Sequence, residues 1–266
     1  MTTQEIQVHI AAIKKNCGHR QSYTNFFAQA EGDYSVLESR SSLVFWQTGE
    51  DDVCRIYFFC FDLDELSRQL LQMEAGSILD YIGTCSDSLV HAFQTGGFRQ
   101  YACFLRLSNK NLAYVFDTDY NPYADYLERF VEETRITSAS LEELDTLHRK
   151  LYDVFDKRSS HFFSRERLKE LIADNKVLVY KEDGCLRSFL IYTIDGKKFY
   201  VAYIYNSAEN HIALSMYVQA AKAAIRAGCT YGYSWVDETN ETSLRYNRLK
   251  QYLPDGMTDK IFRKET

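Results

Sequence analysis

The order of elements in this 266-residue chain occurs twice, and that repetition limits what it can fold into. A helical stretch ending in Ala75-Gly76 runs into an apolar strand that holds Tyr81. Another ending in Ala227-Gly228 runs into a strand that holds Tyr233, so both landmarks recur at an offset of 152 residues. Glycine at such a helix end supplies the left-handed cap that turns the chain back toward a sheet. Upstream, the turn glycines Gly49 and Gly196 recur at 147, a drift of the size that separates diverged copies. The repetition predicts two tandem units of about 110 to 130 residues each: 1–110, a connecting segment with a helix over 111–137, and 138–266.

Local patterns fill in each unit. Ile6, Ile10 and Ile13 recur at helical spacing over 3–16, with Gly18 placed as a cap. Residues 34–40, 41–48 and 53–61 read as strands, the last two separated by the turn residues GEDD. A helix over 63–76, a strand over 77–83, a short helix opened by Ser86 or Ser88 and a strand over 99–108 follow. In the second half, Ser140 and Glu143 form a capping box, and a helix covers 164–175. Three strands over 176–206 are joined by Asp-Gly turns. Then come a long helix closing on Gly228, a strand over 230–237, a helix opened by Asn240 and a last strand over 256–264. Antiparallel hairpins mixed with strand–helix–strand connections predict an α/β (α+β) fold, with mixed sheets and helices on both faces. In the long helix, Ile212, Met216, Ala220, Ala223 and Ala227 read as the packed stripe, with Ser215, Gln219, Lys222 and Arg226 as the solvated one.

The connecting segment imitates a calcium loop. Asp117, Asp119, Asn121, Asp125 and Glu128 match ligand positions of an EF-hand, but Pro122 occupies the place where a sharply turning glycine is needed. The better reading makes Asn121 a helix cap and Pro122 the first helical residue, with Tyr123, Leu127 and Phe130 as the buried stripe. No metal site is expected.

Net charge is −6 and no basic cluster exceeds a pair of residues, which argues against DNA or general nucleic-acid binding. No apolar run is long enough for a membrane span, and the first residues lack an uninterrupted apolar segment, so a cytoplasmic protein is expected. Seven scattered cysteines, none in a CxxC pair, fit reduced core residues. A homo-oligomer is compatible with this composition.

The order of elements in each half resembles the GNAT superfamily of N-acyltransferases, most fully over 138–265 and in shorter, degenerate form over 1–110. The resemblance implies acyl transfer from acetyl-CoA or another acyl-CoA to the amine of a small molecule or peptide. In that family a central strand splays from its neighbour, the thioester lies in the V-shaped gap, and pyrophosphate rests on the N-terminus of the next helix. By position, FYVAYIYN is the splayed strand and NSAENHIAL the helix start. The resemblance therefore assigns the cofactor to Asn206, Ser207, Asn210, His211, Ile212 and Ala213, and substrate contacts to Tyr203 and Tyr205. The family's Gln/Arg-x-x-Gly-x-Gly/Ala pattern is missing there, and Glu209 brings a negative charge. The family's thiolate-protonating tyrosine corresponds to Tyr246, with Tyr252 second, and Asp237 and Glu238 are the carboxylates placed to act as base. In the first half, Asp62, Asp64 and Glu65 stand where phosphate would lie, so that copy is not expected to bind CoA. Two alternatives remain: a GNAT-like binding or assembly protein without catalysis, and a Fem-like transferase that takes its acyl group from charged tRNA. For the latter, SLRYNRLKQYLPDG is similar to an Arg-Phe-Lys helix, with Lys250 as the matching lysine.

Overall fold

A left-handed glycine is present at both landmarks, but only Gly228 closes its helix: the helix before Gly76 stops at Leu70, and the Gly76 N–H donates to Lys264 O instead. In the computed structural model, which describes residues 1–18, 21–26, 33–49, 51–130 and 134–266, Gly76 and Gly228 have φ of +87° and +88°. A residue with a Cβ is disfavoured in that left-handed region by roughly 1–2 kcal/mol. Glu50 of the GEDD turn and residues 131–133 of the connecting segment lie outside the described residues.

The chain divides into two compact units: Met1–Phe104 with Lys157–Ser159 and Met257–Thr266, and Leu105–Asp156 with Ser160–Gly256. Residues 111–137 thus belong with the second unit, and the last ten residues with the first.

The first unit opens with α1 (Thr3–Cys17), whose N-terminus is closed by a Thr2–Glu5 capping box. β1 (Tyr23–Thr24), β2 (Ser35–Glu38), β3 (Ser42–Thr48) and β4 (Cys54–Cys60) follow. Then come α2 (Leu63–Leu70), β5 (Ile78–Gly83), α3 (Asp87–Thr95) and the start of β6 (Phe98–Asn109). β2, β3 and β4 form an antiparallel meander, and β4 pairs in parallel with β5 across α2. β5 is flanked antiparallel by β12 (Leu253–Lys264), through the pairs Thr258↔Gly83 to Arg263↔Ile78. Val44, Ile56, Phe58 and Leu79 pack beneath α2 and α3, while Leu43, Phe45 and Phe59 pack beneath α1. Alternation along β3 and β4 therefore serves both faces.

The second unit holds the rest of β6, α4 (Ala124–Glu128), β7 (Ile136–Ser138), α5 (Leu144–Val154) and α6 (Arg165–Ala173). β8 (Val177–Glu182), β9 (Cys185–Asp195), β10 (Lys198–Asn206), α7 (Asn210–Arg226), β11 (Tyr231–Asp237) and α8 (Glu241–Leu249) complete it. The strands run β6-β11-β10-β9-β8-β7, with β10 and β11 parallel across α7 and β7 to β10 antiparallel. Leu190, Tyr192, Phe199 and Val201 face α7, whereas Val177, Val179, Phe189 and Ile191 face α5 and α6.

Two local expectations change. α7 is buried on more than one stripe: Leu214, Ser215, Tyr217, Val218 and Ala221 are inside as well as Ile212, Met216 and Ala220, and Ala227 is exposed. Ser215 reads as solvated only because a small hydroxyl carries no periodic signal of its own. In the connecting segment Tyr123 is 45% exposed, and Asn121 is fully buried instead. The Asn121 amide donates to Val115 O at 2.7 Å and Leu249 O at 3.1 Å, and its Oδ1 accepts from the Tyr123 N–H. The same oxygen, the atom that would ligate calcium, also accepts from Gln251 Nε2 at 3.2 Å and is thus already engaged by two donors. Asn121→Ala should therefore lower unfolding free energy by about 2–4 kcal/mol, by stranding buried carbonyls, whereas Tyr123→Ala should change it by less than about 0.5 kcal/mol. Urea denaturation followed by fluorescence checks both.

Candidate functional site

The parallel pair β10–β11 separates part-way along. The strands are paired from Lys198↔Tyr231 to Val201↔Ser234 and no further, although β10 runs on to Asn206 and β11 to Asp237. A bulge at the separation, between Val201 and Tyr203, changes which face the following residues use. Val201 belongs to the core under α7, and Tyr203 and Tyr205 to the core under α5 and α6. Tyr203 donates its hydroxyl to His161 O at 2.7 Å among Phe155, Phe162 and Phe163. Tyr205 lies against Phe189, with Lys150 Nζ 5.0 Å from its ring centre. Both tyrosines are thus held by packing.

Beyond β10 the chain turns through Asn206, whose Oδ1 accepts from Ser188 Oγ and the Ala208 N–H, while its amide nitrogen donates to Ala208 O and Glu209 O. Ser207 is tied to Arg187 O through both backbone and hydroxyl. These two residues shape the turn. α7 then starts with no side-chain cap, whereas Thr2, Asp62, Ser86, Ser164 and Asn240 cap α1, α2, α3, α6 and α8. The first turn of a 17-residue helix carries unsatisfied N–H groups and the positive end of the dipole. Asn210 is exposed there, His211 Nδ1 lies 3.2 Å from the exposed Glu209 carboxylate, Ile212 is buried and Ala213 half-buried.

A cavity of about 890 Å³ opens beside this helix start. Asn210 from α7, Glu238 after β11, and Thr242, Arg245, Tyr246 and Arg248 from α8 line it, with Tyr126 from α4. Three residues singled out from the sequence, Asn210, Glu238 and Tyr246, are therefore brought together. Asp237 is not among them: its carboxylate accepts from the backbone and hydroxyl of Thr239, closing the turn into α8. Arg245, Arg248 and Tyr126 were not anticipated, although the i, i+3 spacing of the two arginines on a predicted helix was a readable sign. Asn247 was also missed. It is buried and its Oδ1 accepts from Ser234 Oγ at 3.3 Å, at the last paired rung of β11. Lys250 is buried, not presented for a nucleic-acid backbone, and burial pushes its pKa down to about 7.

The corresponding place in the first unit is filled. β4 and β5 pair only at Arg55↔Ile78 and Ile56↔Leu79. The Asn25 side chain then bridges them, donating to Ile56 O at 3.0 Å and Asp80 O at 2.8 Å and accepting from the Phe58 N–H at 2.7 Å. β1 lies along β4 at the same level, through Tyr23↔Cys60 and Thr24↔Phe59. At the start of α2, the Asp62 carboxylate accepts from the N–H groups of Asp64 and Glu65. Glu65 is held by the Ser39 and Ser41 hydroxyls, which keep its carboxyl below the usual range. The donors that would receive phosphate are thus already occupied by carboxylate.

No family model matches the sequence, and no curated protein does. Solved structures do share its architecture. A GCN5-related N-acetyltransferase from Sphaerobacter thermophilus is 15% identical with a TM-score of 0.58, over 85% of this chain and 76% of that one. A GCN5-related N-acetyltransferase from Kribbella flavida is 12% identical with a TM-score of 0.52, over 99% and 95%. A tandem GNAT protein from the clavulanic acid biosynthesis pathway is 10% identical with a TM-score of 0.53, over 84% and 78%. The chain has the GNAT fold, the class expected from the order of its elements. Among the described residues, no helix is long and apolar enough to cross a membrane.

Asn25→Ala should destabilise the protein by about 3 kcal/mol, because three buried backbone groups lose their partner together. Chemical denaturation measures the loss, and hydrogen exchange should place it in β4 and β5.

Proposed function

We propose that the protein is an N-acyltransferase, taking its acyl group from acetyl-CoA or another acyl-CoA and passing it to the amine of a small molecule or peptide. The reading treats the two units as diverged copies and puts one site in the second. The observation that carries it is the opening of β10 from β11, directly followed by a helix start without a side-chain cap, beside a cavity lined by Asn210, Glu238 and Tyr246. In this reading the thioester enters the opening, and pyrophosphate lies on the N–H groups of residues 210–213. Ile212 and Ala213 supply backbone there, and His211 and Asn210 supply side-chain donors. Those donors stand in for the absent glycines, and Glu209 is turned toward His211. Glu238 attracts the cationic acceptor into the cavity, and Tyr246 protonates the departing thiolate. Tyr203 and Tyr205 form the packed wall of the opening. Asp237 fixes the turn that presents Glu238.

Calorimetric titration with acetyl-CoA and free CoA tests this reading. One site per chain is expected, since the first unit's counterpart is filled by Asn25 and Asp62. Asn210→Asp should weaken binding about tenfold, roughly 1.4 kcal/mol, by setting a like charge against pyrophosphate. No binding at millimolar CoA overturns the proposal and favours a GNAT-fold binding protein, the reading that the missing glycines and Glu209 support.

A further inference from the structure

The cavity beside the start of α7 carries charge of both signs on one wall. Glu241, Arg245 and Arg248 of α8 all line it, at i, i+4 and i+7, and so share one face of the helix. Glu238, from the turn before α8, adds a second carboxylate, whereas its neighbour Asp237 is held by the Thr239 backbone and hydroxyl. Along the helix axis Glu241 and Arg248 stand about 10 Å apart, so the wall has an acidic end and a basic end. Asn247 decides which face that is. Its buried amide nitrogen donates to Ser243 O at 2.9 Å and its Oδ1 accepts from Ser234 Oγ at 3.3 Å. The Asn247 side of α8 is thereby anchored to β11, and the Glu241–Arg245–Arg248 side is left to the cavity.

Helix-end electrostatics accounts for only part of this wall. A carboxylate in the first turn and a cation in the last complement the dipole, which covers Glu241 and Arg248. Arg245 lies in neither turn. A glutamate four residues before an arginine has the spacing and orientation that ordinarily pair the two. Yet both guanidinium groups are exposed at the cavity, and neither has an ion-pair or hydrogen-bond partner among the described residues. Two cations three residues apart on one helix repel each other unless an anion lies between them. A plain amine entering the cavity would meet those two cations, and a plain anion would meet two carboxylates. A molecule that carries both charges meets a partner for each.

We propose that the acceptor is an amine that also carries a carboxylate, as an amino acid does, with the carboxylate held by Arg245 and Arg248; the proposal rests on the acyl-CoA reading of the same cavity. A guanidinium presents a planar fork of donors that matches both oxygens of a carboxylate. Glu238 and Glu241 draw the ammonium group to the start of α8, just beyond the carboxyl end of β11, where that strand has already parted from β10.

Calorimetry with the free amino acids, each beside its carboxamide, reads binding directly, and thiol release from acetyl-CoA reads turnover with the same pairs. At least one amino acid should bind the wild type about tenfold or more tightly than its amide, with the same advantage in kcat/KM carried by KM. Arg245→Gln combined with Arg248→Gln should cut that advantage to under about threefold, and Arg245→Glu combined with Arg248→Glu should turn it in favour of the amide. Both side chains are exposed, so the unfolding midpoint should stay near that of the wild type and serves as the control for folding. Amides bound as well as their acids, no amino acid bound, or a preference that survives both double variants overturns the proposal. Loss of acetyl-CoA affinity in the Gln variant with the acid preference intact overturns it too, since the arginines would then hold a cofactor phosphate. Amino-acid binding that depends on both arginines, in a wild type that does not bind acetyl-CoA, overturns the acyl-CoA reading and supports the carboxylate site by itself.

Discussion

Two parallel strands that begin paired and then separate leave backbone donors and acceptors facing a space that water, a ligand or the protein must fill. That requirement shapes both units. A strand interior cannot leave N–H and C=O groups dry and unpaired without losing about 1–3 kcal/mol for each. In the first unit the Asn25 amide answers it, because one side chain can donate twice and accept once, meeting Ile56 O, Asp80 O and Phe58 N together. In the second unit β10 bulges as the pairing ends, Tyr203 and Tyr205 turn to the α5–α6 core, and α7 starts with its first turn uncapped by any side chain. The same local geometry is closed as a scaffold in one case and kept available in the other.

Most elements were legible because their ends are marked by residues with local physical roles. Ser86 and Asn240 cap the helices that they were expected to open, and the Asp-Gly turns at 183–184 and 195–196 join β8 to β9 and β9 to β10. What stayed hidden was non-local. A two-residue strand such as β1 has no period to detect. Nothing in residues 257–264 announces that they pair with β5, about 180 residues earlier in the chain. The gathering of Asn210, Glu238 and Tyr246 was partly legible, since ligands of open sheets collect at the carboxyl ends of strands, and α7, β11 and α8 succeed one another there. Arg245, Arg248 and Tyr126 were not, because an exposed arginine or tyrosine reads as ordinary surface until the cavity that it lines is known.

The burial of Lys250 escaped the sequence reading for a different reason. Lysine is so seldom buried that a helix carrying it is normally turned outward at that position. Here the inward face of α8 and its C-terminal turn carries Asn247 and Lys250 together. An apolar pair would fill the same space and leave fewer polar groups to satisfy, and buried ionic groups replaced by hydrophobic ones of similar volume are often neutral or stabilising. Stability therefore does not account for the lysine, buried against the Tyr217 and Tyr252 rings. Gly232 argues in the same direction. A side chain there would strengthen a central strand, yet only its absence lets the Tyr252 hydroxyl lie against β11. Gly232 and Lys250 thus each forgo the more stabilising residue, and local choices that run against stability concentrate where a protein binds or reacts.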